Sequence, residues 1–150
     1  MPDIHHTAPA SPSHIALPRL RIAMVTESYP PEVNGVAHSV ARVVEGLRAR
    51  DHAVQLVRPR QAHDAATREP DAIDEIHTAG MQIPRYGQLC MGLPAGTRLA
   101  RAWRAPRPDI VHIATEGPLG WSALRVARAM GLPVCADFRT NFHAYSHFYR

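Results

Sequence analysis

No lysine occurs in this 150-residue chain, and cysteine, aromatic residues and long apolar runs are scarce. All 17 basic side chains are therefore arginines, which hold phosphate or carboxylate through a planar two-pronged fork and not as a point charge. They are spread along the chain, so the formal net charge of +4 fits a solvated basic surface as well as an anionic partner. The two cysteines, Cys90 and Cys135, show no CxxC spacing, which argues against a disulfide framework and suits the reducing cytoplasm. Cys135, inside Leu132-Pro133-Val134-Cys135-Ala136, is expected as a buried, reduced thiol. No apolar stretch approaches the ~18 residues of a membrane-spanning helix, and the first twenty residues carry Pro and His where a signal peptide has an apolar centre. Aromatic residues make up 6% with no aromatic-basic motif of a nucleic-acid module, so nucleic acid is not an expected partner.

What remains is ordinary globular sequence, 45% hydrophobic and 20% charged, long enough for one domain with a core. Residues 1–20 hold few large apolar side chains and read as a disordered leader. His5, His6 and His14 there have no fixed metal geometry. Residues 21–150 read as the domain. Leu20 to Thr26 is a short buried strand ended by Glu27-Ser28-Tyr29-Pro30-Pro31. After Asn34-Gly35, Val36, Val40, Val43, Val44 and Leu47 recur at helical spacing. Ala53 to Val57 is the next strand, completing a βαβ unit.

Residues 58–74 read as a long loop with no assigned role. Residues 76–86 hold one or two short strands, and residues 94–105 a short helix stopped by Pro106 and Pro108. Residues 109–113 form a strand, 117–130 a helix burying Gly120, Ala123, Leu124, Ala127 and Met130, and 133–138 a further strand. The fold class is thus α/β, a Rossmann-like parallel sheet with helices on both faces. From Thr140 a helical pattern begins and runs to Arg150 without a closing element, so the domain is expected to be truncated there.

In such a sheet ligands bind outside the carboxyl ends of the strands. Asn34-Gly35 opens a helix and offers bare backbone N–H groups to a phosphate or sugar hydroxyl; the alternative is that Asn34 merely caps the helix. Glu116-Gly117 precedes the next helix, either to hold sugar hydroxyls or to complement the helix dipole. Asp137, Arg139, Asn141 and His143 crowd polar groups past a strand end, either as a site or as an Asp137–Arg139 network. His143 and His147 share a helical face, but no further ligand is placed for a metal. Trp103 among Arg98, Arg101 and Arg104 reads as core packing or as a basic segment for anionic lipid.

Three strings carry a family resemblance: Arg21 to Pro31 with Asn34-Gly35-Val36, then Pro108 to His112 with Glu116-Gly117-Pro118-Leu119-Gly120, then Asp137-Phe138-Arg139-Thr140-Asn141-Phe142-His143. In this order and spacing the chain resembles the N-terminal domain of glycosyltransferase family 4, retaining enzymes of the GT-B fold with two facing Rossmann-like domains. The string Thr140 to His143 is similar to that of GDP-mannose-dependent or UDP-sugar-dependent transferases acting on lipid-linked acceptors.

The resemblance implies the acceptor-side half of an enzyme that transfers a hexose from a nucleoside diphosphate sugar, GDP-mannose or UDP-hexose, to a lipid or glycan with retention. No cofactor and no metal are implied. Asn34 and Gly35 would approach the donor diphosphate, while Glu116, Gly117, Asp137 and Asn141 would border the acceptor. Many relatives have a histidine after the aromatic residue of the last string; here Arg139 stands there, so Arg139 and His143 are the catalytic candidates. The leaving-group machinery belongs to a C-terminal donor-binding domain beyond these residues, so the fragment alone is expected to be inactive. A cytoplasmic protein, peripheral at the inner face of the membrane, fits such acceptors. Two other readings stay open: a nucleotide-binding Rossmann module of another class, although the first turn has no GxGxxG, and a non-catalytic binding module.

Overall fold

The computed structural model describes residues 18–61, 64, 73–83 and 86–137. Strands β1 (Arg21–Val25), β2 (Ala53–Pro59) and β3 (Asp74–Thr78), a hairpin of β4 (Gly80–Ile83) and β5 (Tyr86–Gly92), and then β6 (Ile110–Ile113) and β7 (Val134–Ala136) are joined with helices α1 (Gly35–Arg48), α2 (Gly96–Ala102) and α3 (Pro118–Ala129). Five strands form one sheet in the order β3-β2-β1-β6-β7, and every pairing in it is parallel. The expected Rossmann-like sheet is what the chain forms.

Strand alternation divides the core between the two faces. Ala23, Val25, Val57, Val111 and Ile113 point to a layer built by Leu99 and Trp103 of α2 with Leu119, Ala123 and Ala127 of α3. Met24, Val54 and Leu56 point the other way, onto Val40 and Val44 of α1. The valine spacing of α1 thus buries one stripe against the sheet, as its sequence indicates.

Three local expectations change, and one pair of alternatives is decided. Strand β2 runs on to Pro59, because Arg58 is buried rather than looped out, and residues 86–92 supply a hairpin strand not anticipated from sequence. Trp103 is fully buried and donates from Nε1 to Gln55 Oε1 at 3.2 Å, so of its two readings core packing holds. Cys135 is only half-buried, since β7 is an edge strand, and both cysteines are free. Among the described residues no helix is long and apolar enough to cross a membrane. Residues 1–17 of the expected leader and the histidines at 5, 6, 14, 143 and 147 lie outside the described residues, while Leu20 at its end is held to the domain, its amide donating to His52 Nδ1 at 3.1 Å.

Candidate functional site

Parallel strands place the loops after β1, β6 and β7 along one edge of the sheet, and these strands are immediate neighbours. The loop after β1 is internally braced. Thr26 Oγ1 donates to Ser28 O at 2.8 Å, Ser28 Oγ donates to Glu32 Oε2 at 2.5 Å, and Asn34 Nδ2 donates to Ser28 Oγ at 2.7 Å. Asn34 Oδ1 accepts the Ala37 amide at 2.8 Å, so this side chain caps α1 and is occupied within the loop. What α1 leaves open is backbone. Gly35 is exposed, and a Cβ added to it would meet nothing within 4 Å. A helix N-terminus with an unobstructed glycine suits the approach of an anion.

The start of α3 differs. Glu116 is exposed and Gly117 is the N-cap, in ordinary extended backbone and without a side-chain cap of its own. The carboxylate that satisfies this helix comes instead from Glu27, just past β1: Oε1 accepts the Leu119 amide at 3.3 Å and Oε2 accepts the Gly92 amide. Burial pushes the Glu27 carboxyl above its ordinary range, against the pull of backbone N–H groups of Gly92, Leu119 and Gly120. A Cβ at Gly117 would collide with this carboxylate, so the glycine is needed for the approach. Glu27 also donates its amide to Thr115 Oγ1 at 2.7 Å, which ties the β1 loop to the β6 loop. Glu27 thus takes the dipole-complementing role that sequence offered to Glu116. Its signal was a lone carboxylate directly after a buried strand.

Asp137 follows β7, its amide donating to Ile113 O at 3.0 Å. Its Oδ2 lies 3.0 Å from His112 Nε2, ion-pair distance when the ring is protonated, although Nε2 forms no hydrogen bond. On the other side of the ring, Nδ1 lies 3.3 Å from Cys135 Sγ. Burial, then the nearby Asp137 charge, push the Cys135 thiol up, so the sulfur is a neutral hydrogen-bonding partner and not an activated nucleophile. Of the residues singled out from sequence, Asn34, Gly35, Glu116, Gly117 and Asp137 therefore follow the carboxyl ends of three adjacent strands. Arg139, Asn141 and His143 lie outside the described residues.

The sequence model of Glycosyltransferase Family 4 matches residues 33–150. The chain belongs to glycosyltransferase family 4. It is 34% identical over 132 residues to the GDP-mannose-dependent alpha-mannosyltransferase of Mycobacterium tuberculosis (strain CDC 1551 / Oshkosh), covering 87% of this chain and 35% of that protein. It is 33% identical to the GDP-mannose-dependent alpha-mannosyltransferase of Mycolicibacterium smegmatis (strain ATCC 700084 / mc(2)155), over the same shares of the two chains. It is 32% identical over 130 residues to the alpha-monoglucosyldiacylglycerol synthase of Acholeplasma laidlawii, covering 86% of this chain and 32% of that protein. This family 4 chain thus spans about a third of the length of the curated relatives it matches.

Proposed function

We propose that this chain is the acceptor-binding half of a retaining glycosyltransferase that moves a hexose from a nucleoside diphosphate sugar to a lipid or glycan acceptor. The observation that carries the reading is the difference between the two helix N-termini at the sheet edge: the Glu27 carboxylate occupies that of α3, while at α1, whose Ala37 amide is capped by Asn34, the space at exposed Gly35 is unobstructed. An incoming diphosphate therefore finds its backbone donors at α1. The GDP-mannose-dependent and glucosyldiacylglycerol-forming relatives support a nucleotide-sugar donor and a lipid acceptor.

In this reading Asn34 shapes the donor loop and Gly35 gives the diphosphate room. Glu116, Gly117, Asp137 and Asn141 contact acceptor hydroxyls, and Arg139 and His143 stabilise charge at the reacting sugar. A second, donor-binding domain faces this edge and supplies most of the leaving-group stabilisation, and no metal takes part. The protein works in the cytoplasm at the inner face of the membrane.

The test compares two proteins with radiolabelled GDP-mannose and UDP-glucose: the chain alone, and a chimera in which residues 21–150 replace the matching third of the Mycobacterium tuberculosis relative. The chain alone should turn over neither sugar, and the chimera should transfer one of them with retention. Turnover by the chain alone, or a folded chimera inactive with both sugars beside an active parent, overturns the reading.

A further inference from the structure

A concavity opens at the carboxyl ends of β2 and β3, with a volume of about 560 Å³ and walls that include Arg60, Gln61, His77, Thr78, Gly80 and Arg98. Part of its floor is backbone held in place, Arg60 N donating to Thr78 O at 3.0 Å and Leu93 N to Ala79 O at 2.8 Å. At Gly80 a Cβ would stand 2.9 Å from Pro59 Cβ, so the chain there must be bare for the hairpin to close against β2. Two arginines reach the cavity from separate elements, Arg60 directly after β2 and Arg98 from the first half of α2. Both are exposed, and among the described residues neither has a carboxylate within ion-pair distance. Among the described residues no acidic side chain lines the cavity. The neighbouring Asp64 and Glu75 are engaged by Arg58 and His77.

We propose that this cavity receives the phosphate of the acceptor's headgroup, an assignment that rests on the transferase reading for the word acceptor alone. Guanidinium forks from two elements match a tetrahedral group with several charged oxygens, and with no carboxylate among the described residues of the wall their charge is left to the ligand. The cavity is open to solvent, which leaves room for a phosphate carried on a larger molecule. Gln61 links the cavity to the first site: its Nε2 donates to Tyr29 O at 2.7 Å, in the loop that leads to Asn34. A headgroup anchored by phosphate at Arg60 and Arg98 therefore lies beside the loop where the donor diphosphate is received.

Amide and arginine Nε–H resonances of the ¹⁵N-labelled chain, titrated with inorganic phosphate, glycerophosphoinositol and acetate, test this without any turnover. Both phosphates should shift Gln61, Thr78, Ala79, Gly80 and the two arginine side chains, the diester binding tighter than inorganic phosphate. Arg60→Gln and Arg98→Gln should each weaken the diester by about tenfold, the loss of one charged hydrogen-bonding pair. Inorganic phosphate binding as tightly as the diester would make the site one for free phosphate and overturn the headgroup assignment. Acetate binding equally well, or a diester affinity indifferent to Arg98→Gln, would overturn the phosphate site itself. Failure here leaves the chimera's turnover of nucleotide sugar untouched, and failure of the chimera leaves these shifts untouched.

Discussion

Glu27 is a carboxylate surrounded by backbone N–H groups whose pKa is nonetheless raised, because burial outweighs the hydrogen bonds. Its ionisation therefore costs more in the folded chain than in the unfolded one. The resulting stability is fully present below the unfolded Glu value of ~4.3 and is lost as pH rises through the higher folded value. Glu27→Gln keeps an acceptor oxygen and removes the titration. The difference in urea midpoint between the native chain and Glu27→Gln should thus move against the native chain as pH is raised from ~4 toward neutrality. Parallel profiles would show that the carboxyl is not perturbed. Gly117→Ala tests the same contact from the other side. Its Cβ meets the Glu27 carboxylate, so the variant should lose roughly 1–3 kcal/mol in urea denaturation, the usual range for overpacking.

At the scale of elements, the end of β2 is decided by one arginine. Arg58 is 5% exposed and bonds Asp64 at 2.6 Å and Glu75 at 2.8 Å, joining β2, β3 and the residues that follow β2. Burial alone would push the Asp64 carboxyl up, but its hydrogen bonds to Arg58 and the Gln61 amide, with the charges of Arg58 and His77, hold it below its ordinary range. A depressed folded pKa stabilises the fold above the unfolded value of ~3.9 and loses that stability as pH falls through the folded value. Asp64→Asn should therefore lower stability by about 3 kcal/mol at neutral pH, the lower end for breaking a buried pair. Thermal unfolding should show the gap closing below pH ~3.9, and a gap independent of pH would exclude the ion pair as its source. This network also marks where sequence reading stops. Val36 to Leu47 and Leu119 to Ala127 announce their helices because apolar spacing is local, whereas Arg58 looks like loop composition until Asp64 and Glu75 are brought to it. For the same reason the Asn34 cap was legible from Asn34-Gly35 alone. The Glu27 cap of α3 joins residues 92 apart in sequence, and no local pattern records it.

On the scale of the whole molecule, the loops of the candidate site gather at one edge of the sheet, and the outer surface of α2 and α3 is left for another contact. Trp121, Arg125 and Arg128 are exposed at positions i, i+4 and i+7, one stripe of α3. Trp121 is 55% exposed, with the Arg125 guanidinium carbon 4.9 Å from its ring centroid. A groove of about 370 Å³ beside it is lined by Pro94, Gly96 and Val126, and the exposed Arg101 of α2 extends the basic charge. An indole next to arginines suits the headgroup layer of an anionic bilayer, where the ring settles at the interface and each nearby basic residue adds about 1 kcal/mol. Trp103, the aromatic of the basic segment read from sequence, is in the core, and the exposed tryptophan on this side is Trp121, which the sequence did not single out. Sedimentation with phosphatidylglycerol-containing vesicles should recover the chain at low salt and release it as salt screens the arginines. Trp121→Ala should weaken the partition by about fivefold, a loss of roughly 1 kcal/mol of interfacial binding. Val33→Ala is the control, an 87% exposed apolar residue in the Asn34 loop. If Val33→Ala lowers vesicle binding as much as Trp121→Ala does, the membrane meets the ligand-binding edge of the sheet instead, and α2 and α3 face water.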